Sequence, residues 1–195
     1  MLFRSPMMTY MFFFFFFAST MLAGELNNTY TSMGKVIAIQ PTKVGVSIES
    51  NEGTLQTVVY SPTIIKVQYT KKGRIVDTLS YAIQSGFSPS ASFSAKDAPE
   101  AYRIETDSLV MIINKNPIRI RFTNKAGTLL NEDEPAFGTG WIGEEVTTYK
   151  KLIPDEKFIG MGEKTGGLNR RGEGFTHWNT DYFGYPTNAD PIYLS

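Results

Sequence analysis

The run Leu109-Val110-Met111-Ile112-Ile113, Asn114-Lys115-Asn116-Pro117, Ile118-Arg119-Ile120-Arg121-Phe122-Thr123 decides the fold. In its last six residues apolar and polar side chains alternate with a period of two, the mark of a strand with one face in a core and one in water. The four residues before them are turn formers, and Pro117 fixes a backbone angle. The first five are continuously apolar, which in an otherwise alternating chain predicts a strand covered on both faces, as in the middle of a sandwich. Two strands joined by so short a turn pair antiparallel.

The same pattern extends outward. Val44, Val46 and Ile48 alternate with Gly45, Ser47 and Glu49, and Ile65, Val67 and Tyr69 alternate with Lys66, Gln68 and Thr70. Lys35 to Ile39 opens the series less cleanly. Asn51-Glu52-Gly53, Lys71-Lys72-Gly73 and Asn124-Lys125-Ala126-Gly127 supply turns between strands. Outside the first two dozen residues no segment offers three turns of amphipathic helix, and Ser80 to Ala101, with Gly86, Pro89 and Pro99, reads as a long connection. The expected fold is all-β, an antiparallel β-sandwich. About ten fully buried aliphatic side chains, each contributing on the order of 1.5–3 kcal/mol, would offset much of the cost of ordering the chain.

Composition narrows the partners. Among 195 residues, 19 Lys and Arg balance 19 Asp and Glu. No basic run tracks a phosphate backbone, so no nucleic-acid partner is expected. The chain has no Cys and a single His, His177. That removes the thiolates and imidazole clusters of zinc and most transition-metal sites, and no metal or other cofactor is expected.

Residues 1–24 differ in kind from the rest. Arg4 precedes an apolar stretch from Met11 through Phe12–Phe17 to Ala18, and Ala23-Gly24 offers a cleavage point, the layout of a signal peptide. The stretch is too short and too interrupted to span roughly 30 Å of hydrocarbon, so a secreted or periplasmic protein with no stable membrane span is expected. The alternative is an uncleaved N-terminal anchor. Asn27-Asn28-Thr29 matches a glycosylation sequon.

After Pro154 the texture changes, with glycines, aromatics and amides crowded together. Two glycine patterns can be set aside. Gly138-Thr139-Gly140-Trp141-Ile142-Gly143 has dinucleotide-type spacing, yet Glu144-Glu145 stand where a helix N-terminus should meet pyrophosphate, and Val146 to Tyr149 favours a strand. Gly160-Met161-Gly162-Glu163-Lys164-Thr165 places Glu163 between glycine and lysine, which breaks a phosphate cradle. His177 lacks a readable nucleophile and orienter. Trp178, Phe175, Tyr182, Phe183 and Tyr185 suit either a core or a sugar platform, since flat apolar rings stack on pyranose faces while amides and carboxylates take the hydroxyls. Asp181 and Asp190 read equally as turn residues.

The ordered series Phe158-Ile159-Gly160-Met161-Gly162-Glu163-Lys164-Thr165-Gly166-Gly167-Leu168-Asn169-Arg170-Arg171-Gly172, then Trp178-Asn179-Thr180-Asp181-Tyr182-Phe183-Gly184-Tyr185 and Asp190-Pro191-Ile192-Tyr193, resembles glycoside hydrolase family 31. It is similar to the segment where that family's galactose-mutarotase-like β-sandwich hands over to a catalytic (β/α)8 barrel. The resemblance implies a signal peptide at 1–24, the sandwich at 25–153, and a sandwich-to-barrel segment with a substrate-rim loop at 154–195. It implies an α-glucosidase-like, retaining α-glycosidase acting through two carboxylates about 5–5.5 Å apart. Both belong to the barrel, which is missing from this chain, so no catalytic residue is expected here. The family's rim aspartate contacts sugar hydroxyls, and Asp181 holds that motif position, with Trp178, Asn179 and Tyr182 as neighbours. The substrate implied is an α-glucoside oligosaccharide. Arg170-Arg171 is expected to tie the loop to carboxylates such as Glu163. The rival reading is a free-standing secreted carbohydrate-binding β-sandwich.

Overall fold

The computed structural model describes residues 29–74, 82–84, 86–89, 91–160, 162 and 166–175; the leader at 1–24 lies outside them. Among the described residues are twelve strands and no helix: β1 (Tyr30–Ser32), β2 (Val36–Thr42), β3 (Gly45–Ser50), β4 (Gly53–Ser61), β5 (Ile64–Lys71), β6 (Ser94–Asp97), β7 (Ala101–Glu105), β8 (Leu109–Lys115), β9 (Ile118–Asn124), β10 (Leu129–Glu132), β11 (Thr139–Ile142) and β12 (Glu145–Thr148). They form three antiparallel sheets, ordered β2-β3-β4-β5, β10-β9-β8-β7-β6 and β1-β11-β12.

The period-two pattern becomes cross-strand rows. In the four-stranded sheet Ile39, Ile48, Leu55 and Tyr69 stand opposite one another. In the five-stranded sheet Tyr102, Ile113 and Ile120 do the same, beside a row of Ile104, Met111 and Phe122. The rows of the two sheets merge into one apolar cluster, with Ile48, Leu55, Ile104, Met111 and Ile113 fully buried, and this makes the pair a sandwich. Met33 and Trp141 bring the small third sheet onto the same core. The backbone of Gly34 accepts from Ile118 N–H at 2.7 Å, so the third sheet's lead-out is also bonded to the larger sheet.

The deciding hairpin forms as read, with β8 pairing β9 from Leu109↔Asn124 to Lys115↔Ile118. Its double-sided cover is only partial. Met111 and Ile113 face the core and Val110 is buried on the outer face, but Ile112 is half-buried there. In register it lies between Arg103 and Arg121, whose aliphatic stems can shelter an apolar side chain while their heads reach water. The expected connection at 80–101 contains a strand, β6, whose four residues are all exposed. It forms because β7 offers it a ladder, not because its side chains need burial.

Close packing explains one glycine directly. A Cβ on Gly45 would lie 2.1 Å from the carbonyl oxygen of Thr57, so strands β3 and β4 can approach only with hydrogen there. Among the described residues no helix is long and apolar enough to cross a membrane.

Candidate functional site

The chain leaves β12 at a polar anchor set between the sandwich and the small sheet. Asp133, just past β10, is buried; its Oδ2 accepts from Ile120 N–H at 2.7 Å and its Oδ1 accepts from Lys150 Nζ at 2.6 Å. Its backbone N–H donates to Ile120 O at 2.9 Å, and Lys151 N–H donates to Glu132 O at 2.9 Å. The first residues beyond the sheets are therefore stitched to β9 and β10. Arg119, also buried, donates to the carbonyl oxygens of Pro135, Ile118 and Ala136 at 3.0, 2.7 and 2.8 Å. It fills the space next to Gly138, where a Cβ would sit 2.7 Å from its Cδ and where φ is +62°.

Phenols and rings complete the anchor. Tyr30 packs edge-on against Phe137 and Tyr149, and its hydroxyl donates to Phe137 O at 2.7 Å. Burial raises the Tyr30 phenol pKa, with the Arg119 charge opposing. Burial pushes the Tyr69 phenol pKa far above its usual range; the Asp133 carboxylate adds to the rise and a hydrogen bond with Thr139 opposes it. Both phenols are thus neutral structural groups at ordinary pH.

The segment that follows holds itself together with side-chain-to-backbone bonds. Ile153 N–H donates to Glu156 Oε2 at 3.1 Å while Glu156 N–H donates to Ile153 O at 3.2 Å, closing a turn in which Asp155 has φ 60°. Arg171 Nη1 spans that turn, donating to Ile153 O at 2.8 Å and to Glu156 O at 2.9 Å. Asn169 Oδ1 accepts from both Phe158 N–H, at 3.1 Å, and Arg171 N–H, at 3.2 Å. Arg170 N–H donates to Phe158 O at 2.8 Å, and the buried Arg170 guanidinium lies 5.5 Å over the ring of Phe175. The expectation that this arginine pair ties down the loop holds for Arg171 with a different acceptor: backbone carbonyls, which a planar guanidinium can bridge without a countercharge. Glu163 lies outside the described residues.

Carboxylates of the described sandwich serve its own ion pairs. Asp97 meets Lys115 at 2.5 Å, Glu132 meets Lys151 at 3.3 Å, and Glu144 is held by Lys71 and Arg74. Glu105 accepts from Lys125 and from Arg103, which hold its carboxyl below the usual range. A general acid needs the opposite shift.

The Gly138–Gly143 pattern resolves into sheet geometry. Thr139–Ile142 is strand β11, and a Cβ on Gly140 would lie 2.7 Å from the Tyr30 ring. No helix follows, since β12 pairs straight back onto β11. Asp181, Trp178, Asn179 and Tyr182, with His177, lie outside the described residues. Sequence reading gave no part to Asn169, Arg119 or Asp133. The first was visible only as one letter of the motif block, and the other two alternate with core residues as any surface polar group would.

An all-β chain with two antiparallel sheets closed on one core, followed by a hydrogen-bonded turn segment, defines a β-sandwich of galactose-mutarotase-like type. Residues 54–195 match the glycosyl hydrolase 31 N-terminal galactose mutarotase-like domain, and the chain belongs to that family. Alpha-glucosidase 2 of Bacillus thermoamyloliquefaciens is 27% identical over 165 residues, which are 84% of this chain and 21% of that protein. The dextranase of the same hydrolase family from Flavobacterium johnsoniae, solved with glucose, superposes with a TM-score of 0.73 at 29% identity, over 84% of this chain and 20% of that one. The cycloalternan-forming enzyme of Listeria monocytogenes, solved with a pentasaccharide substrate, shares the fold at a TM-score of 0.62 and 20% identity, over 79% of this chain and 15% of its own. This chain therefore spans about a fifth of the length of the first two relatives.

Proposed function

We propose that this chain is the N-terminal, non-catalytic portion of a retaining, α-glucosidase-like glycosidase of carbohydrate metabolism, and that it contributes sugar binding at the rim of the active site. The observation that carries the reading is the family match over residues 54–195, which runs through the whole motif block. The alpha-glucosidase and dextranase relatives support an α-glucoside oligosaccharide as substrate. Bond cleavage falls to two carboxylates on a barrel carried by polypeptide outside these 195 residues, one as nucleophile and one as acid and then base. Asp181 contacts a sugar hydroxyl, and Trp178, Asn179 and Tyr182 shape the loop around it. The leader at 1–24 directs the protein to the periplasm or the exterior.

The test uses a gene product extended through the barrel. A charged hydrogen bond to a hydroxyl is worth about 1.5–3 kcal/mol, so Asp181→Ala should lower kcat/KM about 10- to 100-fold, chiefly through KM, and leave turnover measurable. Unchanged affinity for maltose or isomaltose in that variant would refute the rim contact. The 195-residue chain alone should release no glucose from an aryl α-glucoside.

A further inference from the structure

We infer that Asn169 and Arg171 are positioning residues: together they set the path by which the chain enters the stretch from residue 176 to Tyr182. The inference rests on the rim reading above for its functional meaning, but its physical content does not depend on sugar binding. Four bonds converge on three consecutive residues. The Asn169 side chain holds the N–H groups of Phe158 and Arg171, the Arg170 N–H holds Phe158 O, and Arg171 Nη1 holds both carbonyls of the turn at Ile153 and Glu156. That turn follows at once on Lys150 and Lys151, which are fixed to Asp133 and Glu132.

An unbroken series of bonds thus runs from strands β9 and β10 through the turn to Arg171. Directly beyond it the backbone reverses at Gly172, with φ +83°, where Glu173 N–H donates to Arg170 O at 3.2 Å. Phe175 is then held under the Arg170 guanidinium. No sheet ladder reaches this stretch among the described residues, so these side chains are what fixes its direction. Asn169 acts only as an acceptor in these bonds, which makes its role chemically separable: an aspartate keeps the oxygen, an alanine does not.

The experiment reads Trp178 in the 195-residue chain itself. The chain has two tryptophans, and Trp141 is buried in the sandwich, so fluorotryptophan labelling gives two fluorine NMR signals, one reporting the core and one the rim stretch. Asn169→Ala and Arg171→Ala should each shift or broaden the Trp178 signal while the Trp141 signal and the melting temperature stay put. Asn169→Asp should restore the Trp178 signal. A Trp178 signal unmoved by Asn169→Ala, or moved equally by Asn169→Asp, overturns the inference. Should Arg171→Ala fail to fold, the Asn169 pair still decides. Failure of the rim reading shows elsewhere, in the kinetics of Asp181→Ala.

Discussion

Around Ile113 the chain is held by burial: Tyr102 and Ile120 flank it in register, and the facing sheet closes over them. Around Arg171 the reverse holds, since Ile159 is 62% and Leu168 75% exposed, and order comes from a few side chains gripping backbone atoms. Both regions are well defined, by forces that differ in range. Apolar burial is shared among many neighbours, so one loss weakens the whole domain, whereas a side-chain clamp acts on the few residues it touches. Between them stands the Asp133 anchor, which is polar like the segment and buried like the core.

The sharpest break of this comparison is in the core. Ile113→Ala leaves a cavity between two packed sheets and should cost about 4 kcal/mol, read as a lower urea midpoint with an unchanged slope. Asp133→Ala strands the Ile120 N–H and leaves Lys150 without its partner; a loss of about 2 kcal/mol is expected, below the core value because Lys150 can still reach water. A result at or above the Ile113→Ala loss would place the anchor energetically within the core.

The smallest expected effect lies in alkaline solution. The Tyr69 phenol has its pKa raised in the folded state, so above about pH 10 the unfolded chain releases that proton first and stability falls as pH rises. Below pH 10 the group contributes no slope. Tyr69→Phe should remove part of that alkaline loss, and thermal melts of the two proteins from pH 8 to above pH 10 would show their curves converging. Parallel curves would mean that Tyr69 ionises as easily in the folded state as in the unfolded chain.

Much of the sandwich was legible because its strands bury one face. Val44 to Ile48, Ile65 to Tyr69 and Ile118 to Phe122 wrote that demand directly into alternation. Ser94-Ala95-Lys96-Asp97 carried no such signal, because an edge strand with four exposed residues needs only backbone partners, which pattern reading cannot see. Ile112 was read as covered because apolar runs suggest two buried faces, whereas two arginine stems from neighbouring strands stand beside it. The segment after Lys150 was legible as a motif but not as a geometry. Asn169 and Arg171 act through carbonyl and amide groups, and any sequence supplies those everywhere, so no spacing of side chains could reveal which ones are gripped.

Strand β6 carries a last consequence. It closes one border of the five-stranded sheet with Lys96 and Asp97, the latter paired to Lys115. A second copy seeking to extend the sheet there would have to strip water from that charged margin for a ladder only four residues long. The outermost strand, idle in the core, guards the molecule against stacking upon itself.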